Sequence, residues 1–318
     1  MDGFGDDFPT TALDFHARFA TEEACVEYFT KLRWPDGFTC PKCGGKEHWW
    51  LKKRELYDCK ACRHQTSLTA GTSLEGTRKP LRHWLYAMFL MTSQKTSTSA
   101  MNVKRQLHIS YPTAWTWLQK LRFGVGARAQ SKLTGRVEVD ESFVGGVEAG
   151  HRGRGAEEKA LVVGAVEDRD GNPGRIRLEV KPDASAESLE GFVATRVEVG
   201  ATAHTDGWSA YRGVAEHGIG HEPETIRGSG KTAAEMFPLV HLVFALLKRW
   251  LLGTFQGAVG NKHLQGYLDE FTFRFNRRHC RNPLGIFERL ARTVLAASRV
   301  TYRAIIAREP TQFLARAG

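Results

Sequence analysis

From Gly76 to Val137 the sequence contains no aspartate or glutamate, yet those 62 residues hold eleven lysines and arginines. A surface that only needed solvation would mix both signs, so the tract points to a polyanionic partner, most simply nucleic acid. The N-terminus is the reverse: residues 1–39 carry eight acids against three Lys/Arg. "MDGFGDDFPTT" therefore lacks the basic flank and apolar core of a secretory signal. No stretch reads as the roughly 18–20 apolar residues that cross a bilayer, so a soluble, intracellular protein with no membrane partner is expected. No repeat of fixed period occurs. Cysteine is scarce at six residues, and four of them stand in two pairs. In a reducing compartment that pattern favours metal over disulfides.

What is present supports real cores. The chain has 318 residues, 42% of them hydrophobic and 10% aromatic, enough for two or three small domains. Net charge is +10, with a second basic tract from Lys248 onward that counts thirteen Lys/Arg against four acids.

Cys40 and Cys43, then fifteen residues, then Cys59 and Cys62 have the spacing of two metal knuckles. Four thiolates close a tetrahedron around one Zn²⁺ and leave no open position, so this zinc is structural; an iron–sulfur centre is the lesser alternative. Cys25 and Cys280 read as ordinary thiols. Residues 14–34 suggest a helix opened by Thr21, with Glu22 and Glu23 in its first turn. Two short strands lie between the knuckles. Three helical stretches follow between Pro80 and Phe123, and their short turns and cations suggest a helix-turn-helix in which Lys104, Arg105, Lys120 and Arg122 meet DNA.

After Thr134 the pattern becomes β-β-β-α-β, with Asp140 ending the first strand and Asp206 the fourth. Neighbouring strands would bring these carboxylates to one sheet edge, where hard oxygen ligands hold two Mg²⁺ or Mn²⁺ ions for phosphodiester chemistry. Glu138 faces the same way as Asp140 and either joins the site or pairs with Arg136. Glu141 and His241 are accessory candidates, His241 reading more simply as a locally bonded helix-start residue. Residues 145–158 form a Gly-rich, charged loop expected to be mobile until it meets a ligand. A strongly apolar helix begins near Phe237. Glu235 can cap it, while Asp269 and Glu270 are expected to face solvent. Arg274, Arg277 and Arg278 are candidate phosphate contacts.

"RWPDGFTCPKCGG", "YPTAWTWLQKLR", "VEVDESFVGG", "HTDGWSAY" and "KRWLLGTFQGAVGNKHLQGYLDEFTFRFNRR" resemble the bacterial insertion-sequence transposases that carry an N-terminal zinc ribbon. The likeness runs from about residue 14 to 300. It implies a multidomain α+β chain: a helical lead-in (1–35), a zinc ribbon (36–75), a helix-turn-helix-like segment (76–132), a ribonuclease H-like DDE-type catalytic core with a mixed sheet (133–280) and a basic helical tail (281–318). It also implies binding of the element's inverted repeats, metal-dependent cleavage and strand transfer on double-stranded DNA, a homo-oligomer at synapsis, and a cytoplasmic, nucleoid-associated setting. Asp140 and Asp206 match the family's first two catalytic aspartates. The third place, Glu or Asn in the family, falls on Leu246 of "HLVFALLKRW", with His241, Lys248 and Trp250 in register. Leucine offers no ligand. Three accounts follow: an inactivated copy that still binds DNA, a site completed by Glu141 or His241, or a third ligand from elsewhere.

Overall fold

A computed structural model describes residues 9, 11–126, 130–145, 159–225, 228–257, 259–279 and 284–307. These fall into two compact units, residues 9–126 with 284–307 and residues 130–279. Most of the Gly-rich loop (146–158), Cys280 and residues 308–318 lie outside the described residues.

The first unit opens with two helices where one was expected, α1 (Ala12–Arg18) and α2 (Glu22–Arg33). Thr11 and Thr21 cap them, each hydroxyl accepting from the N–H three residues on, an amide the helical ladder leaves free. An antiparallel sheet follows in the order β1 (His48–Leu51), β2 (Leu56–Cys59), β3 (Gln65–Ser67). Next come α3 (Leu81–Ser93), α4 (Ala100–Leu107) and α5 (Tyr111–Gly126). α3 begins after Pro80, which has no side-chain cap to offer. Glu22 of α2 fills the gap, accepting from Leu81 N at 2.5 Å and Arg82 N at 3.2 Å.

The second unit is built on β4 (Arg136–Val144), β5 (Ala160–Arg169) and β6 (Asn172–Lys181), an antiparallel meander. α6 (Ala186–Arg196) crosses over to β7 (Thr202–Asp206), which pairs parallel with β4. A 3-10 helix, Ser209–His217, leads to β8 (Gly220–Glu224), a strand that the sequence pattern does not announce. The sheet order is β6-β5-β4-β7-β8, with β7 and β8 parallel to β4. The sheet is mixed, and it extends the expected β-β-β-α-β order by one strand.

Then follow α7 (Ala233–Met236), α8 (Pro238–Phe255) and α9 (Leu264–Phe275). Alternation along β4 and β5 divides the core. Val137, Val139, Val163 and Ala165 pack with α6 on one face. Val162 and Val166 pack with Val240, Val243, Phe244 and Leu247 of α8 on the other. By length and composition α8 is apolar enough to cross a membrane, contrary to expectation. Its apolar stripe is spent on the sheet instead. α9 covers the β6 edge with two amides: Gln265 Oε1 accepts from Val180 N at 2.9 Å, and Asn276 Oδ1 from Ile176 N at 2.7 Å. An otherwise open strand edge is thereby satisfied. Asp269 and Glu270 are buried rather than solvated, Asp269 accepting from Gln265 Nε2 at 3.0 Å.

The last helices, α10 (Leu284–Ala296) and α11 (Tyr302–Ala307), belong to the first unit. A Cβ on Gly124 of α5 would stand 2.9 Å from Val294 Cγ2 of α10, so the close crossing requires glycine. The described part of the basic tail, α10 and α11, therefore belongs to the helical core of this unit.

A buried ion cluster ties the β5–β6 turn to the start of β4. Glu167 has no exposed surface and binds Arg175, Arg169 at 2.9 Å and Thr134 N at 2.9 Å. Burial works against its charge, but the Arg175, Thr134 and Arg169 donors outweigh it and hold the carboxyl at about 2, below the ordinary 4.5. A depressed folded-state pKa stabilises the fold above about 4.5 and ceases to do so as pH falls toward 2. Denaturant titrations across that window should show a flatter acid limb for Glu167→Gln than for the wild type.

Candidate active site and metal centre

The four cysteines converge as their spacing predicts. Their sulfurs all lie within 4.8 Å of one another, with Cys40–Cys62 at 3.7 Å and Cys43–Cys59 at 3.6 Å. Zn–S bonds of ~2.3 Å in a tetrahedron put sulfurs about 3.8 Å apart, so the set fits zinc. Both knuckles turn alike: Cys40 O accepts from Gly44 N at 2.9 Å, and Cys59 O from Arg63 N at 2.9 Å. Gly44 at φ +73° supplies the left-handed turn in one, Arg63 at +57° in the other. Burial opposes the Cys40 thiolate, yet N–H groups of Cys43 and Lys42 bring it down to about 7.

The acids sit in the second unit. β4 does not stop at Asp140 but continues to Val144, paired with β5. What ends there is its pairing with β7, whose last partners are Val139 and Thr205. One step further places Asp140 beside Asp206 at the C-terminal end of two adjacent parallel strands, both on the α8 face. Asp206 Oδ1 accepts from Trp208 N at 3.2 Å, and Asp140 Oδ1 from Glu141 N at 2.8 Å. Glu141 points to the opposite face, where its Oε2 accepts from the Tyr211 hydroxyl at 3.0 Å. Burial, then the charges of Glu141, Asp140 and Asp206, push the Tyr211 phenol far up, so a neutral donor sits among three acids.

Glu138, also on the α8 face, is neither a site acid nor the partner of Arg136. Its Oε2 accepts from Leu239 N and Val240 N, both at 2.9 Å. Arg136 pairs instead with Asp168 at 3.5 Å and Glu222 at 3.2 Å. The start of α8 is then fully accounted for. Pro238 has no N–H, Glu138 takes the next two, and His241 N reaches Phe237 O at 3.2 Å. Burial raises the Glu138 pKa against these two hydrogen bonds.

α8 so docked runs alongside β4. Glu138 meets Leu239 and Val240, Asp140 meets His241, and Ser142 meets Lys248. Four strand steps span about 13 Å and eight helical steps about 12 Å, so the contacts stay in register. His241 Nε2 lies 3.1 Å from Asp140 Oδ2, and the His241 side chain is 34% exposed. Lys248 Nζ donates to Ser142 Oγ at 2.7 Å. Burial and Lys159 lower its pKa while Asp140 opposes them. His241 and Lys248, seven residues apart, share a stripe. Leu246 stands about 140° round the helix from His241, packed against the apolar cluster that contains Val243 and Leu247. The side chain that α8 offers the acids is thus His241. Among the described residues only the cysteines bring three or more ligand atoms together, so the acid site is an open two-carboxylate edge. Mg²⁺ suits such an edge, keeping waters and substrate oxygens in its remaining positions.

The expected phosphate contacts divide. Lys104 and Arg105 are exposed on α4, and Lys120 is half-buried. Arg122 is 1% exposed, which removes it from any surface. Arg274 is half-buried, with burial pulling its guanidinium pKa down. Arg277 and Arg278 stack on Phe273 and Phe275 at 4.1 and 3.9 Å and donate to backbone carbonyls.

Residues 132–276 match the family model of an ISXO2-like transposase domain, and residues 20–65 match that of a transposase zinc-ribbon domain. The chain thus carries a transposase zinc-ribbon domain followed by an ISXO2-like transposase domain. Among solved structures, a "Mos1 transposase paired-end complex with left transposon end" is similar at 13% identity and a TM-score of 0.23, over 67% of this chain and 78% of that one. No curated protein matches.

Two outcomes test these sites. Elemental analysis should find close to one zinc per chain, and chelation should unfold β1–β3 while leaving the second unit's far-UV signal intact. Glu138→Ala should cost about 2 kcal/mol in urea unfolding, the scale of a lost cap with hydrogen bonds to a charged group.

Proposed function

We propose that this chain is an active DDE-type transposase that binds double-stranded DNA at the inverted repeats of its element and joins those ends to a target. The supporting observation is the contact of His241 Nε2 with Asp140 Oδ2 at 3.1 Å, made from the first turn of α8. On this reading Asp140, Asp206 and His241 form the reacting centre, and Leu246 is a core residue rather than a vacancy in it. The three would hold Mg²⁺ or Mn²⁺, which when bound activates a hydroxyl nucleophile and stabilises the leaving oxygen. Asp206 is oriented by the N–H of Trp208, and Asp140 by that of Glu141. Tyr211 holds Glu141 away from the pair, making it a positioning residue. Lys248 brings a positive charge to the same strand for a phosphate oxygen.

The chemistry is two displacements at phosphorus. Water attacks at the element's end, one P–O bond forms as another breaks, and a 3′-hydroxyl leaves. That hydroxyl then attacks a target phosphodiester in the same way. Two ends must be held together for joining, so a dimer or larger assembly acts, in the bacterial cytoplasm at the nucleoid. Zinc in the ribbon is structural.

The second reading is a catalytically inactive DNA-binding protein, favoured by the lack of a third carboxylate beside Asp140 among the described residues. Strand-transfer assays with Mn²⁺ separate the two. Wild type should join ends, Asp140→Ala and His241→Ala should each lose at least about a hundredfold, the scale of removing a principal electrostatic group, and Leu246→Asn should leave the rate unchanged. An inert wild type that gains activity with Leu246→Asn contradicts the proposal.

A further inference from the structure

Two open clefts in the first unit share one loop. Gly76, Thr77, Arg78 and Lys79 line a cleft of about 610 Å³ that continues to Trp50 and Arg54 of the ribbon. The same four residues line a second of about 560 Å³, which continues to Thr113, Thr116 and Lys120 of α5 and to Arg299 and Tyr302. The three α5 residues fall on one helical stripe. Three segments far apart in sequence thus make one track, with the loop as its ridge.

The track is cationic, and its acids are already spent. In the second cleft Arg78, Lys79, Lys120 and Arg299 face the single acid Glu75, which pairs with Arg299 at 3.0 Å and accepts from Gly71 N at 2.7 Å. In the first, Glu22 has both oxygens on α3 amides, leaving Glu55 against Arg54, Arg78 and Lys79. Arg78 and Lys79 are exposed, and among the described residues neither pairs with an acid. Lys120 is held from below, its Nζ donating to Glu75 O at 3.3 Å.

We propose that the 76–79 ridge carries the phosphate backbone of double-stranded DNA, with Arg54 on one flank and Lys120 and Arg299 on the other. This rests on the reading that the chain binds DNA, and it places the binding at the ridge rather than on the α4 cations. A spaced row of cations along an open track matches a polymer of regular negative charge. Phosphate contacts position the protein without reading bases, so binding through the ridge is independent of sequence.

The test measures binding of the full-length, zinc-loaded protein to fluorescent duplexes, one carrying the element's end and one of arbitrary sequence, across a salt series. Arg78→Ala/Lys79→Ala should weaken both duplexes alike and lower the slope of log K against log salt by about 0.9 for each phosphate no longer neutralised. Thermal melting checks that the variant is folded. The Lys104→Ala/Arg105→Ala pair should change the slope less. A slope unchanged in the ridge variant but reduced in the α4 variant overturns the proposal. A single strand of the arbitrary sequence serves as a third probe, and weakening confined to it overturns the duplex assignment. A wild type that binds neither duplex removes the underlying DNA reading, and the ridge with it.

Discussion

A buried carboxylate on the central strand sets the position of the helix that lies beside Asp140. Glu138 costs free energy to bury, and α8 begins with a proline and no side-chain cap of its own. Each deficit offsets the other: the glutamate gains two N–H donors, and the helix start gains an acceptor. The outcome is positional as much as energetic. With Glu138 holding its first turn, α8 must lie along β4, and two strand residues further on Asp140 comes to His241. The same device recurs in the first unit, where Glu22 caps α3 after Pro80. In both cases a glutamate from another element registers a helix that cannot cap itself.

Elements with local signatures were legible in the sequence. The cysteine spacing, the threonine cap at Thr21, the β-β-β-α-β order and the strands that carry Asp140 and Asp206 all have short-range or period-two signals. The features that escaped the sequence depend on packing between segments distant in the chain. β8 is a short strand, "GHEPE", with no apolar alternation. Asp269 and Glu270 look like solvated helix acids until Gln265 and the β6 edge are placed beside them. Arg122 looks like a basic-face residue until α5 is packed on its neighbours.

Leu246 shows the limit most clearly. Aligned by motif it occupies the place of a catalytic residue, where a leucine supplies no ligand and leaves the site inactivated, completed by Glu141 or His241, or completed from elsewhere. Helical geometry separates it from the acid-facing stripe by about 140°. The signal that would have found the stripe was present: His241 and Lys248 are seven residues apart, two turns on one face, and both are polar in a mostly apolar helix.

The central claim is that α8 presents His241, and not position 246, to the acid pair. Manganese binding to the folded protein, followed by the paramagnetic resonance signal of free Mn²⁺, tests it without relying on turnover. Asp140→Asn and His241→Ala should each weaken binding, and Leu246→Asn should match the wild type. Tighter binding by Leu246→Asn together with an unaltered His241→Ala would contradict the account.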